Sequence, residues 1–216
     1  MHKKIATKSS HLLIILIYIN LIYSYIFFSK ILTDSVYYNS FSHKFSTEDI
    51  NRLLSFKKEY GWISYIAQIL TLVIKIYFTA LCIYIGILLN ENKIKFIKIL
   101  KIALYAEFVF IFYSGIRMIM IYYIDFITVE QIQKFWPLSL FSLFPGDSIP
   151  QWLFYPLYTI NIAEIAYWLV LALGLTYLMK TKFLQSLKTV LTSYGAGLLL
   201  WMVFLVFVQL YFLESV

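Results

Sequence analysis

Cysteine, histidine and charge are all scarce in this 216-residue chain, and each scarcity removes a class of function. A lone Cys82 can form neither an intrachain disulfide nor a cysteine cluster for zinc. His2, His11 and His43 offer no pair four residues apart on a helix, so no metal site is expected. Neither H-E-x-x-H nor G-x-S-x-G occurs. Ser114 and Glu107, two helical turns apart, are too distant in register for a nucleophile and its base. Gly195 and Gly197 lack the lysine and hydroxyl partner of a phosphate loop and suit close helix packing instead. These absences predict a protein that is not an enzyme and holds no cofactor. Only 13% of residues are charged while 62% are hydrophobic, and the mean hydropathy is +0.79, which excludes an ordinary soluble domain.

What is present in quantity is long apolar sequence. Runs near 11–29, 62–89, 99–124, 156–179 and 189–213 each approach or exceed the ~20 residues that cross a hydrocarbon core. The expected fold is all-α, a single domain over 1–216 forming an integral membrane bundle of five transmembrane helices. The first run follows Lys3, Lys4 and Lys8 but has no small-x-small cleavage site after it, so it is expected to stay as an anchor.

Charge sets the expected orientation. The head and the two short loops carry ten lysines and only Glu91, a net +9, whereas the other side nets −2. The positive-inside rule then puts the N-terminus in the cytoplasm and the C-terminus outside. The basic balance serves lipid-facing flanks, and no compact basic domain exists to carry nucleic acid.

Two outer segments, 30–61 and 125–155, break the membrane pattern. Ser46 with Asp49 has capping-box spacing, and Ile50, Leu53 and Leu54 then recur opposite Arg52 and Lys58. This predicts an interfacial amphipathic helix over about 46–60, lying on the outer leaflet or binding a partner. Thr128 with Gln131 repeats the capping spacing ahead of a short helix ending near Trp136. Pro137, Pro145, Pro150 and Pro156 forbid one continuous helix beyond it, and Trp136, Trp152 and Tyr155 suit a headgroup belt.

Polar residues inside the runs align. Gln68, Thr71, Lys75 and Thr79 follow one helical face, Glu107, Ser114 and Arg117 another, and Asn161 with Glu164 a third. Asn20 and Ser24 form a weaker pair in the first run. Such stripes turn inward because lipid offers no hydrogen bonds. A charge at the bilayer centre costs about 2.5–3.5 kcal/mol on insertion scales, so Lys75, Glu107, Arg117 and Glu164 need partners. Arg117 lies eight residues before Asp125 and Glu164 eight after Pro156, both about 12 Å below the outer boundary. That match predicts an interhelical ion pair, Arg117 with Glu164, acting as structural glue. Lys75 reaches Glu107 only against its usual side-chain tilt, so water is an equal candidate to solvate Glu107.

From residue 98 onward KILKIALYAEFVFIF, WPLSLFSLF, NIAEIAYWLVLALGL and SLKTVLTSYGAGLLLW follow one another. This order resembles the Yip-type (Ypt-interacting protein) membrane domain of bacteria, with a polar start to the fourth span and Gly174 near its end. The resemblance implies a five-span bundle and a role in membrane trafficking or assembly. The short basic head ahead of the first run is expected to depart from the eukaryotic relatives, whose longer cytoplasmic N-terminal region goes with GTPase binding.

Two functions fit these features. One is an accessory, scaffold or assembly subunit of the bacterial inner membrane, partnered by lipid and by a membrane protein or a second copy. The other is a small transporter or permease component whose polar path is lined by Lys75, Glu107, Arg117 and Glu164.

Overall fold

The computed structural model describes residues 2–89, 94–124, 126–144 and 149–214. Glu91, Lys93, Asp125, Pro145 and Asp147 lie outside the described residues, as do the side chains of Lys3, Lys4, Lys8 and Glu214. The described residues are mostly helical, with a single antiparallel bridge, Ser139 to Asn161, in place of any strand. Among them, four stretches are long and apolar enough to cross a membrane: Ser10–Ile31, Trp62–Leu89, Ile162–Met179 and Phe183–Phe212.

The first stretch joins α1 (His2–Ile26) to a π turn, Phe27–Ile31. The second is the single helix α4 (Trp62–Leu89). Between them stand α2 (Asp34–Phe41) and α3 (Thr47–Tyr60). Ser46 caps α3 by accepting from the Asp49 backbone N–H at 3.2 Å. Helix α3 is amphipathic: Ile50 and Leu54 are buried, while Glu48, Asn51, Arg52 and Ser55 face outward.

The expected span at 99–124 is two helices, α5 (Phe96–Ala106) and α6 (Phe108–Ile124), and neither reaches the length of the four stretches. The interruption falls on Glu107, where the Phe110 N–H bonds to the Glu107 carbonyl at 3.0 Å in a tightened turn. Glu107 is the one acidic residue of that stretch, and the turn sets it against Lys75 of α4 and Tyr167 of α9.

Beyond α6, the Thr128–Gln131 capping box starts α7 (Val129–Lys134). The proline-rich stretch holds 3₁₀ turns at Leu140–Leu143 and Gln151–Leu153, then α8 (Phe154–Thr159). Ile160 breaks the helix, so the expected span 156–179 begins later, as α9 (Ile162–Met179). Asn161 caps α9, accepting from the Glu164 backbone at 2.9 Å. The last stretch is α10 (Phe183–Val190), a π turn at Leu191–Gly195, and α11 (Ala196–Glu214).

Two cores result. The larger joins Leu16 of α1, Ile76 and Ile83 of α4, Ile99 of α5, Leu171 of α9 and Tyr194 of the last stretch. The smaller, Ile31, Leu32, Val36, Ile121 and Ile132, fastens α2 and α7 over the end of α6. Close approach of α4 to the last stretch requires Gly197, where a Cβ would lie 2.6 Å from Cys82 Sγ. At Gly195 the same atom would meet nothing nearer than 3.9 Å, so only one of the two glycines is needed for packing.

Candidate functional site

The interior charges gather where α4, α5, α9 and the last stretch meet. Counted at about 1.5 Å per residue from the helix ends nearest the basic loops, Lys75 lies about 21 Å in and Glu164 about 22 Å. Glu107 and Tyr194 lie about 16 Å in, so the four share roughly one helical turn of depth.

Lys75 Nζ pairs with Glu107 Oε2 at 3.2 Å and sits 3.2 Å from the centroid of the Phe110 ring. The ring face offers the ammonium its negative quadrupole, a second partner compatible with apolar packing. Glu107 is 2% exposed, and its Oε1 has no hydrogen-bond partner. A buried carboxylate oxygen left without a donor is costly and calls for an explanation.

Glu164, 6% exposed, is better supplied. Its Oε1 accepts from Trp168 Nε1 at 2.8 Å and from the Tyr194 hydroxyl at 2.9 Å. It also lies in the first turn of α9, where the helix dipole favours an anion. Lys75 and Glu107 are near enough to act electrostatically on it. Tyr167, fully buried, donates to Thr79 Oγ1 at 3.1 Å. Tyr167 also faces Glu107, and Tyr194 also faces Thr79. Two carboxyls, one ammonium and three hydroxyls thus form a single cluster, with one more anionic than cationic group when all are ionised.

The predicted Arg117–Glu164 pair does not form. Arg117 donates from Nε to the Phe135 carbonyl at 2.8 Å and from a terminal nitrogen to the Ile132 carbonyl at 3.1 Å. Its guanidinium also stacks on Trp136, 3.9 Å from the centroid. Pro156 belongs to α8, so counting from it misplaced Glu164. Arg117 sits ten residues beyond Glu107, about 15 Å further along. There the Ile132 carbonyl in the last turn of α7, which also accepts the Phe135 N–H at 3.4 Å, and the carbonyl of the Phe135 that follows the helix provide its acceptors. Trp136, expected in a headgroup belt, is also stacked on Tyr158 at 4.7 Å, and with α7 and Phe135 it forms a cap held by Arg117.

The remaining stripe residues divide. Gln68 accepts from Ser24 of α1, and with Asn20, Ser64, Ser114 and Arg117 it lines an open cavity of about 310 Å³ between α1, α4 and α6. Thr71 is the exception: it is exposed and turns its hydroxyl back to the Ala67 carbonyl at 2.8 Å, away from the cluster. Asn161 is spent on capping α9 and on the Tyr158 and Thr159 carbonyls. Tyr167 and Tyr194 were not singled out by sequence, because 19 tyrosines conceal the two that matter. A helical-wheel signal existed for Tyr167, three residues after Glu164 on the same face.

Among the described residues, no group of three or more His, Cys, Asp or Glu could hold a metal. No family model, curated protein or solved structure matches the chain.

Proposed function

We propose that this chain is a non-enzymatic, five-span protein of a bacterial inner membrane, and that it acts as a small transporter or permease component. In this reading α5 and α6 together make the third crossing, interrupted at Glu107. The N-terminus is cytoplasmic, the C-terminus is outside, and α3 rests at the outer interface. The same five-span order is what the resemblance to the Yip-type domain implies.

One observation carries the reading. The open cavity presents Gln68, and Lys75 follows seven residues later on the same face of α4, about 10 Å further in. A polar opening above a buried charged cluster is the arrangement a solute path needs, since polar groups inside a bilayer are retained at a cost.

The test compares cells expressing the wild-type chain with cells expressing Lys75→Met, fed a mixture of labelled small solutes. A solute whose uptake disappears in the variant, at equal membrane abundance, supports the proposal. Identical uptake of every solute, together with no labelling of Ser114→Cys by a membrane-impermeant maleimide in a Cys82→Ser background, overturns it.

The accessory-subunit reading has its own support in α3, whose Leu53, Phe56 and Tyr60 are exposed. Phe56→Asp releasing a co-purifying membrane protein, with solute uptake unchanged, would put that reading first.

A further inference from the structure

Resting on the transport reading, we infer that the buried cluster binds one exchangeable proton shared between Glu107 and Glu164, and that this proton is the ion to which transport is coupled.

Charge is unbalanced in the cluster. Glu107 and Glu164 are both almost wholly buried, yet a single ammonium, paired with Glu107, serves them both electrostatically. Two ionised carboxylates against one lysine leave a net negative charge among apolar helices, which is heavily penalised. Like carboxylates sharing one site do not both ionise readily, and a shared proton removes the excess. The unpartnered Glu107 Oε1 is an oxygen with room for that proton, because Oε2 already accepts from Lys75.

The groups facing Glu107 decide where the proton can go. Lys75 approaches from α4, Tyr167 and Glu164 from α9, and Tyr194 from the last stretch. Helix α6 presents the uncharged Phe110 ring. Tyr23 of α1 lies about two turns away, its hydroxyl beside Gly115, and the Tyr113 hydroxyl is engaged with the Pro137 carbonyl.

The hydroxyls between the carboxyls are ordered in one sense. Tyr167 donates to Thr79, and Tyr194 donates to Glu164. A proton leaving Glu107 for the Tyr167 oxygen sends the Tyr167 proton to Thr79. The Thr79 proton passes to Tyr194, and the Tyr194 proton to Glu164. Each hydroxyl ends with one proton, Glu107 ends as a carboxylate, and Glu164 ends as a carboxylic acid. The π turn at Leu191–Gly195 contains Tyr194, and such turns recur at functional positions in helices.

Infrared spectroscopy of the full chain in mild detergent tests this without knowledge of the solute. The wild type is expected to show the carbonyl stretch of a protonated carboxylic acid at neutral pH, lost on alkaline titration. The double variant Glu107→Gln/Glu164→Gln is expected to lack it. Wild type and double variant with the same spectrum at every pH would overturn the inference. Loss of the band on replacing potassium with sodium at constant ionic strength would also overturn it, by assigning the site to a metal cation. On transfer to heavy water the band should shift rapidly in the wild type and slowly in Tyr167→Phe and Tyr194→Phe. Shifts at the wild-type rate in both would remove the hydroxyl relay. These phenylalanine variants keep the packing, so they report even if a glutamine variant fails to fold. The two proposals separate cleanly: a protonated carboxyl without solute uptake defeats transport alone, and uptake without a protonated carboxyl defeats the coupling alone.

Discussion

Lys75 and Arg117 are both cations held among apolar helices, but they are satisfied in different ways. Lys75 meets a carboxylate at 3.2 Å in a cluster that contains a second carboxyl and an oxygen without a donor. Arg117 meets two backbone carbonyls and an aromatic face, with no carboxylate partner among the described ion pairs. The planar guanidinium suits this second role, because its fixed fork serves two acceptors and a ring at once. The ammonium suits the first, being a compact charge beside groups able to exchange protons. Matched donors and acceptors thus mark the scaffold, and the mismatch around Glu107 marks the place where chemistry has been left open.

The largest expected effect lies on the Lys75 side. Lys75→Met should lower stability in detergent by on the order of 2–4 kcal/mol, because it leaves a buried carboxylate without its cation. The lower part of that range applies if water reaches the lysine, whose side chain is one-third exposed. Adding Glu107→Gln to Lys75→Met should recover most of the loss, as read by thermal melting of the single and double variants. A single variant as stable as wild type would break the contrast between the two cations.

Arg117→Lys comes next. One ammonium cannot span both carbonyls and stack on Trp136, so a loss of about 1.5–3 kcal/mol is expected from the charged hydrogen bonds. The loss should appear as faster proteolysis across residues 126–137, with the carboxyl spectrum unchanged. An Arg117→Lys variant whose cap stayed as protease-resistant as the wild type would show that Arg117 does not hold the scaffold.

How far these two regions were legible in sequence differs for a physical reason. Helical periodicity puts Gln68, Thr71, Lys75 and Thr79 on one face, of which Thr71 is exposed, and capping spacing marks the starts of α3 and α7. Both signals are local, depending on residues three or four apart. The partner of Arg117 was not legible, because a backbone carbonyl exists at every position and leaves no trace in the sequence. Depth counting failed for Glu164 because it assumed unbroken helix from Pro156, and the break at Ile160 follows from tertiary pairing of 138–140 with 160–162. The interruption at Glu107 likewise has no proline or glycine to announce it. The five-span order and the orientation rest on charge and on the family resemblance, and reporter fusions at the loops would test them.

Packing supplies a smaller effect that acts on one side only. Gly197→Ala would bring a methyl within 2.6 Å of Cys82 Sγ and should cost about 1–2 kcal/mol by overpacking. By pushing α4 from the last stretch it should disturb Tyr194 and slow the infrared shift in heavy water. Gly195→Ala, with open space around its new atom, should change neither. Equal behaviour of the two variants would show that helix approach does not position the cluster.

The smallest expected effect concerns an ion pair at the surface of the same cap. Lys134 pairs with Glu130 at 2.8 Å, one helical turn apart on α7, whose Ile132 carbonyl serves Arg117. The hydrogen bond from Lys134, and then its charge, hold the Glu130 carboxyl below its ordinary range. A lowered carboxylate contributes stability that is present above the unfolded value and is lost as pH falls through the folded one. Acidification should therefore loosen the cap slightly, and Glu130→Gln should abolish that increment. Because Glu130 is exposed, added salt should erase it as well, whereas the buried Lys75–Glu107 pair should respond little to salt. Hydrogen exchange of the α7 amides, followed against pH at low and high salt, reads this directly. An acid-dependent change that persisted in high salt and in Glu130→Gln would mean that another carboxyl governs the cap, and the surface pair could then no longer serve as the screened counterpart of the buried one.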